Sequence, residues 1–246
     1  MPTPNEETYA LKLVPPQGHK LTAAEELILH ALKIGALKIY VHGKKTKLHR
    51  LSPHFWNSGD FSTAEDLRYL SNAYMTAIKE QLPHWKTTNV LFGPAYKGIL
   101  LAGALAERFR EEGKNVGIAH DRKEEKDHGE GGILVGANMD GQNVGIVDDV
   151  ISGGTAKRHA LALIAYGGGT ACFCIIGFDR QEQGEKTTLS GAQEFTKETG
   201  VKVVSACDLN DFIRMLITFN DQATGTPPTA LAERVMAYRN EYGAAI

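Results

Sequence analysis

Two adjacent carboxylates, Asp148 and Asp149, stand at the end of an apolar run and directly before a loop of Val150, Ile151, Ser152, Gly153, Gly154, Thr155 and Ala156. The run at 144–147 suits a short buried strand, and residues 156–166 carry a helical pattern. Strand, glycine-rich turn and helix start together aim backbone N–H groups and the positive end of a helix dipole at an anion. The glycines let the chain come close to a phosphate. Carboxylates beside such a pocket repel phosphate, so they need another partner: sugar hydroxyls, a metal ion or a developing cation. A ligand with a phosphate at one end and a polyhydroxy ring beside it meets both demands, which describes a phosphorylated ribose. The bland alternative is a buried strand whose acids only cap a helix. Neither G-x-G-x-x-G nor G-x-x-x-x-G-K-[ST] occurs, so the dinucleotide fingerprint and the P-loop are both absent.

A second stretch, 122–132, alternates charges of both signs through Arg122, Lys123, Lys126 and His128 and closes on three glycines. It has no apolar residue before position 133, so it reads as a solvated, mobile surface loop. Its chemical reading is a lid that brings cations onto a polyphosphate and shuts out water. Lys126 and His128 lie two apart and face the same way in an extended chain. Arg180 offers a planar fork suited to a carboxylate or ring oxygen, or to a salt bridge with Asp179 or Glu182. Phe55 and Trp56 follow a proline and suit either core packing or stacking on a flat ring.

These residues need a frame. Thr22 and Glu25 form a capping box before a helix that Gly35 can close, and a strand is expected at 37–41. A second box, Ser62 with Glu65, opens a helix that Pro83 stops. Strands then alternate with helices: strand 90–92, turn 93–98, helix 99–112, strand 115–120, strand 144–147, helix 156–166, strand 171–178, helix 189–199, strand 201–206 and two C-terminal helices. That alternation predicts an α/β fold with a mostly parallel twisted sheet flanked by helices. Ligands on such sheets bind beyond the carboxyl ends of the strands. The turns at 93–98, 121–132, 148–156 and 179–186 all follow predicted strands. Residues 1–60 are expected to form an N-terminal arm and small hood region, and 61–246 the core.

Composition narrows the classes. The 246 residues carry a formal charge of -2, which argues against a nucleic-acid or membrane partner recognised by bulk charge. No apolar run is long enough to span a bilayer, and the polar, proline-bearing start does not read as a signal peptide. Three cysteines make no disulfide framework, and Cys172 and Cys174 fall in an apolar strand, so a reducing cytoplasm is the expected setting.

The stretch 144–156 resembles the phosphoribosyl-diphosphate (PRPP) motif of type I phosphoribosyltransferases. The segment Arg122-Lys123-Glu124-Glu125-Lys126-Asp127-His128-Gly129-Glu130-Gly131-Gly132 closely resembles the catalytic loop of orotate phosphoribosyltransferases. Phe92-Gly93-Pro94-Ala95-Tyr96-Lys97-Gly98 and Phe178-Asp179-Arg180-Gln181-Glu182 match the same family, in the same order. The resemblance implies the type I phosphoribosyltransferase fold and Mg²⁺-dependent transfer of phosphoribosyl from PRPP to orotate, giving orotidine 5′-monophosphate and pyrophosphate for UMP synthesis. It implies that Lys97, Arg122, Lys123, Lys126 and His128 meet the pyrophosphate, with Tyr96 beside them. Asp148 and Asp149 would hold the ribose, and Val150 to Ala156 the 5′-phosphate. Arg180 would meet orotate, with Phe55 and Trp56 as stacking candidates. Lys47 stands near the family's basic position before Pro53, with Lys44 or Lys45 as substitutes; the family's Lys-Ser-Gly-Arg pattern is not kept there. Mg²⁺ would be held mainly by PRPP and water rather than by protein ligands. Members are homodimers in which part of the loop reaches into the neighbour's site. A purine or uracil enzyme of the same fold should lack the 122–132 loop, and a PRPP-sensing regulator should have lost Lys126, His128 or one of the acids; none is lost.

Overall fold

The computed structural model describes residues 7–46, 48–126, 132–151, 155–184 and 187–245. In chain order the first elements are β1 (Leu13–Val14), α1 (Ala23–Ile34), β2 (Leu37–Lys45), β3 (Leu51–Trp56) and α2 (Ala64–Gln81). Then come β4 (Val90–Phe92), α3 (Lys97–Glu111), β5 (Gly117–Lys126), β6 (Gly132–Gly136), β7 (Asn143–Val147), α4 (Thr155–Tyr166) and β8 (Thr170–Asp179). The last are α5 (Gly191–Thr199), β9 (Val203–Asp208), α6 (Leu209–Thr218), β10 (Asn220–Asp221) and α7 (Thr229–Tyr242). No helix among the described residues is long and apolar enough to cross a membrane.

The chain packs as two compact units. One comprises 1–69, 180–190 and 207–246, and the other 70–179 and 191–206. The division drawn from sequence at residue 60 does not coincide with these units, because the C-terminal helices pack with the N-terminal segment.

The second unit is built on a six-stranded sheet of order β6-β5-β4-β7-β8-β9. β4 pairs in parallel with both β5 and β7, and β7 with β8, while β6 runs antiparallel to β5. The central strands are continuous apolar runs because both their faces are covered: Val90, Phe92, Val144, Ile146, Cys174 and Ile176 share one core with Ile164 and Phe195. Each such side chain contributes about 1.5–3 kcal/mol by leaving water. The mostly parallel α/β sheet agrees with expectation; β6 and the length of β5 do not. Residues 122–126 of the expected loop continue β5, which pairs with β6 from Ala119↔Gly136 to Lys126↔Gly132. A backbone ladder needs no apolar side chain, so the charged sequence hid the strand.

In the first unit β2 and β3 pair antiparallel, from Leu37↔Trp56 to Lys45↔Leu51. β3 was not expected, since Pro53 demotes a strand to an edge or bulge. Helix α1 forms as the sequence predicts: Thr22 and Glu25 make both capping-box bonds, and Gly35 closes the helix at φ 74°. The second box sits one residue later than expected. Thr63 Oγ1 accepts from the Asp66 amide, while Asp66 Oδ2 accepts from the Ser62 and Thr63 amides. Asp66 is fixed there because its other oxygen, Oδ1, bonds buried His30 Nε2 at 2.7 Å.

Candidate active site

The Asp148–Asp149 turn leaves the carboxyl end of β7, the middle of the parallel sheet. Strand β8 holds it from one side: the Asp148 amide donates to the Ile175 carbonyl at 3.0 Å, and the Gly177 amide to the Asp149 carbonyl at 2.8 Å. From the other side the Tyr74 hydroxyl donates to the Asp148 carbonyl at 2.7 Å. The turn also bonds itself, Asp149 N–H to Asp148 Oδ1 at 2.8 Å and Val150 N–H to Asp149 Oδ1 at 2.7 Å. The side-chain orientations are therefore set before any ligand arrives.

The two acids have different partners. Asp148 is paired with Lys157 of α4 at 2.5 Å, and the side chains are 11% and 6% exposed. Lys157 Nζ also donates to the Val150 carbonyl. Asp149 is paired at 2.9 Å with Lys97, whose side chain is 48% exposed. Burial raises the Asp148 carboxyl above its usual range, with Lys157 opposing and Asp149 adding to the rise. Burial acts the same way on Asp149, but the hydrogen bond and charge of Lys97, with Lys157 behind, outweigh it and hold that carboxyl low. One pair is thus sealed in the structure and the other lies open to exchange with a ligand.

Lys97 is the first residue of α3 and follows the turn after β4. That turn is close-packed. A Cβ on Gly93 would lie 2.1 Å from the Gly98 carbonyl oxygen, and one on Gly98 would lie 2.8 Å from the Val147 carbonyl oxygen. Buried Asp121, midway along the neighbouring strand β5, accepts from the Ala95 amide at 2.7 Å and anchors the turn. Tyr96 beside Lys97 is exposed. Adjacent parallel strands therefore bring the 93–98 and 148–151 turns to one edge of the sheet.

Of the remaining expected residues in this unit, Val150 is half-buried, Ile151 buried, and Thr155 and Ala156 exposed at the start of α4. Arg122 lies in β5 and donates to the Gly132 carbonyl at 3.4 Å across the hairpin. Lys47, His128, Ser152, Gly153 and Gly154, and the side chains of Lys123 and Lys126, lie outside the described residues.

Arg180, Phe55 and Trp56 belong to the first unit. Arg180 grips Glu182 through Nε at 3.0 Å and Nη2 at 2.6 Å. Tyr238 of α7 donates to the same carboxylate at 3.0 Å. Between the pair, Gln181 sits at φ 52°, a left-handed conformation costly for a side-chain-bearing residue. Its carbonyl accepts from the Ala244 amide at 2.8 Å, and its amide side chain donates to Asp208 at 3.1 Å. Phe55 and Trp56 are successive strand residues and point to opposite faces. Trp56 is buried against Phe61, with ring centroids 5.4 Å apart, while Phe55 is exposed under the Lys44 ammonium at 5.0 Å. The two rings therefore do not present one stacking surface.

Lys157, Asp121 and Tyr238 escaped the sequence reading. Lys157 had a signal: a cation in the first turn of a helix opposes the dipole and needs a local carboxylate to justify it. Asp121 and Tyr238 had none, since their partners are set by strand pairing and long-range packing.

Comparison with known proteins agrees with this geometry. Residues 68–207 match the phosphoribosyl transferase domain family. The orotate phosphoribosyltransferase of Stenotrophomonas maltophilia strain K279a is 41% identical over 199 residues, spanning 80% of this chain and 86% of that protein. The enzyme of that name from Methylibium petroleiphilum is 37% identical over 228 residues, spanning 89% and 93%. The crystal structure of Francisella tularensis orotate phosphoribosyltransferase aligns with a TM-score of 0.74 at 27% identity, over 88% of this chain and 98% of that one. Motifs, sheet order and relatives converge, and the chain belongs to the orotate phosphoribosyltransferases of the phosphoribosyl transferase domain family.

Proposed function

We infer that the protein joins orotate to PRPP, releasing pyrophosphate and orotidine 5′-monophosphate. The observation that carries this reading is the Lys97–Asp149 pair at the carboxyl edge of β4 and β7, with α4 starting a few residues on. A ring nitrogen of orotate attacks C1 of the ribose as the C1–O bond to pyrophosphate breaks, and positive charge develops on the sugar. Asp149, held ionised by Lys97, is suited to ribose hydroxyls and to that charge. The pyrophosphate offers Lys97 a stronger partner than Asp149, so binding frees the acid as it captures the cation. Arg122, Lys123, Lys126 and His128 are assigned to the same leaving group, with Tyr96 and Lys47 beside it. Segment 150–156, including Ser152, Gly153 and Gly154, is assigned to the 5′-phosphate, with N–H groups at the start of α4 supplying donors. Arg180 is assigned to the orotate carboxylate and Phe55 to its ring.

The residues fit magnesium as the metal. Asp148 is engaged by Lys157 and Asp149 is assigned to the ribose, which leaves a hard cation to the oxygens of the diphosphate and to water. Bound there, it would offset the diphosphate charge. The proposed working form is a homodimer in which the 122–132 segment serves the partner's site, in a reducing cytoplasm that suits three free cysteines. Orotate absorbance should fall only when PRPP and Mg²⁺ are both present, and equal or better turnover of uracil, adenine or hypoxanthine would overturn the assignment.

A further inference from the structure

Lys157 has no role in the reaction as described so far, yet it is among the most deeply buried charged side chains of the second unit, 5% exposed. A lysine is desolvated in this way only when its charge is used. Its ammonium reaches back over seven residues to the Val150 carbonyl and lies 2.5 Å from Asp148 Oδ2. It therefore joins both ends of the phosphate loop: the turn that leaves β7 and the helix that follows.

We propose that Lys157 is a positioning residue of the phosphoribosyl site, one that keeps Asp148 charged and ties 148–150 to α4 so that Asp149 alone is the acid offered to the ligand. This rests on the reading of 148–156 as the PRPP site. Four groups surround Asp148, and two of them, Lys157 and Asp149, bear on its charge. Lys157 on α4 donates to it, and Asp149 follows it on the same turn. Cys174 of β8 lies near both members of the pair, its thiol pushed up to about 12 by burial and hence neutral. Tyr74 of α2 binds the Asp148 carbonyl and leaves the carboxylate untouched. Burial and Asp149 both press Asp148 towards its neutral form, and Lys157 is the cation, among the described residues, set directly against them. Without Lys157 the carboxyl should hold its proton to a higher pH than it does in the unmodified protein. A protonated Asp148 accepts more weakly at Oδ1 from the Asp149 amide because that bond is no longer charge-assisted, and Asp149 is then held less firmly.

The test is the pH profile of kcat/KM for PRPP in Lys157→Met and in Lys157→Gln, which keeps a donor for the Val150 carbonyl but no charge. In both variants the acid limb, which falls about tenfold per pH unit because a single carboxylate is being protonated, should lie at higher pH than in the unmodified enzyme. The double variant Lys157→Met with Asp148→Asn should lose that displacement of the limb. A loss of the same factor at every pH in both single variants, or failure of both to fold, makes Lys157 a residue of the fold only and overturns the proposal. Turnover of orotate by the unmodified protein tests the reaction itself, so failure of one idea is distinguishable from failure of the other.

Discussion

The two units hold their functional side chains by different means. In the second unit, Asp148, Asp149 and Lys97 sit on turns that leave neighbouring parallel strands, and their positions follow from β4–β7 pairing. In the first unit, Arg180 is placed by partners drawn from three separated segments. Arg50 donates to the carbonyls of Gln183 and Gly184 at 2.8 and 3.4 Å, Asp208 binds Gln181, and Tyr238 binds Glu182. The sheet-borne site is preorganised by regular structure, and the Arg180 site by a web of single contacts. The first arrangement suits a ligand part that many enzymes of the fold share; the second can change one contact at a time, which suits recognition of a particular base.

The comparison breaks most visibly at Asp149. Asp149→Asn keeps the shape and removes the charge, and it should lower kcat/KM for PRPP by about a hundredfold or more, the scale of losing one preorganised group at a transition-state charge. Orotate affinity should hold, as measured by equilibrium binding. An equal loss for orotate would mean that the two units do not divide the substrates.

Arg180→Ala is the converse. If the guanidinium turns from Glu182 to the orotate carboxylate, its removal should weaken orotate binding by about 2–3 kcal/mol with PRPP binding little changed. Glu182 would also be left half-buried without its cation, so thermal unfolding should be followed alongside. Equal losses for both substrates would mark Arg180 as a structural ion pair.

How much of this was legible in the sequence follows the same division. The start of the acidic turn at 148–151, the 93–98 turn and the central strands are local patterns of strand, glycine and helix, and each is found where the pattern puts it. The Thr22–Glu25 cap was legible for the same reason. Arg180 was legible as chemistry but not as geometry: its pairing with Glu182 was one of two options that sequence left open, and Tyr238, 56 positions along the chain from Glu182, gave no sign. Lys126 in a strand shows the opposite failure, where a charged string pointed to a free loop but backbone pairing with Gly132 overrode it. Trp56 and Phe55 were legible as aromatics, while their division between core and surface needed the β2–β3 register.

Gly98→Ala probes the sheet-borne site without touching charge. The added methyl would lie 2.7 Å from Pro94 Cδ and 2.8 Å from both the Gly93 carbonyl carbon and the Val147 carbonyl oxygen, two of them backbone atoms. Overpacking of this kind costs about 1–3 kcal/mol, so the melting temperature should fall. Because the strain falls on the turn that carries Lys97, PRPP binding should weaken with it. Gly103→Ala, on the same helix with open space around it, is the control and should be neutral or slightly stabilising.

The smallest expected effect lies in the web around Arg180. Tyr238 has its ring edge-on to His54, with centroids 5.8 Å apart, and packs against Tyr242 at 5.0 Å. Burial and the neighbouring Glu182 carboxylate push its hydroxyl up to about 12, so it remains a proton donor throughout the working range. Tyr238→Phe keeps both ring contacts and deletes one hydrogen bond to Glu182, a loss of about 0.5–1.5 kcal/mol. Among the described residues, Arg180 would then be the side chain left to steer the Glu182 carboxylate, which could swing with it. The KM for orotate should rise about threefold to tenfold, with the KM for PRPP and the melting temperature nearly unchanged. Steady-state kinetics with each substrate varied in turn would show the split. A matching rise for PRPP would place the effect in the stability of α7 as a whole, and no change in either constant would show that Arg180 holds its position without help from the C-terminal helix.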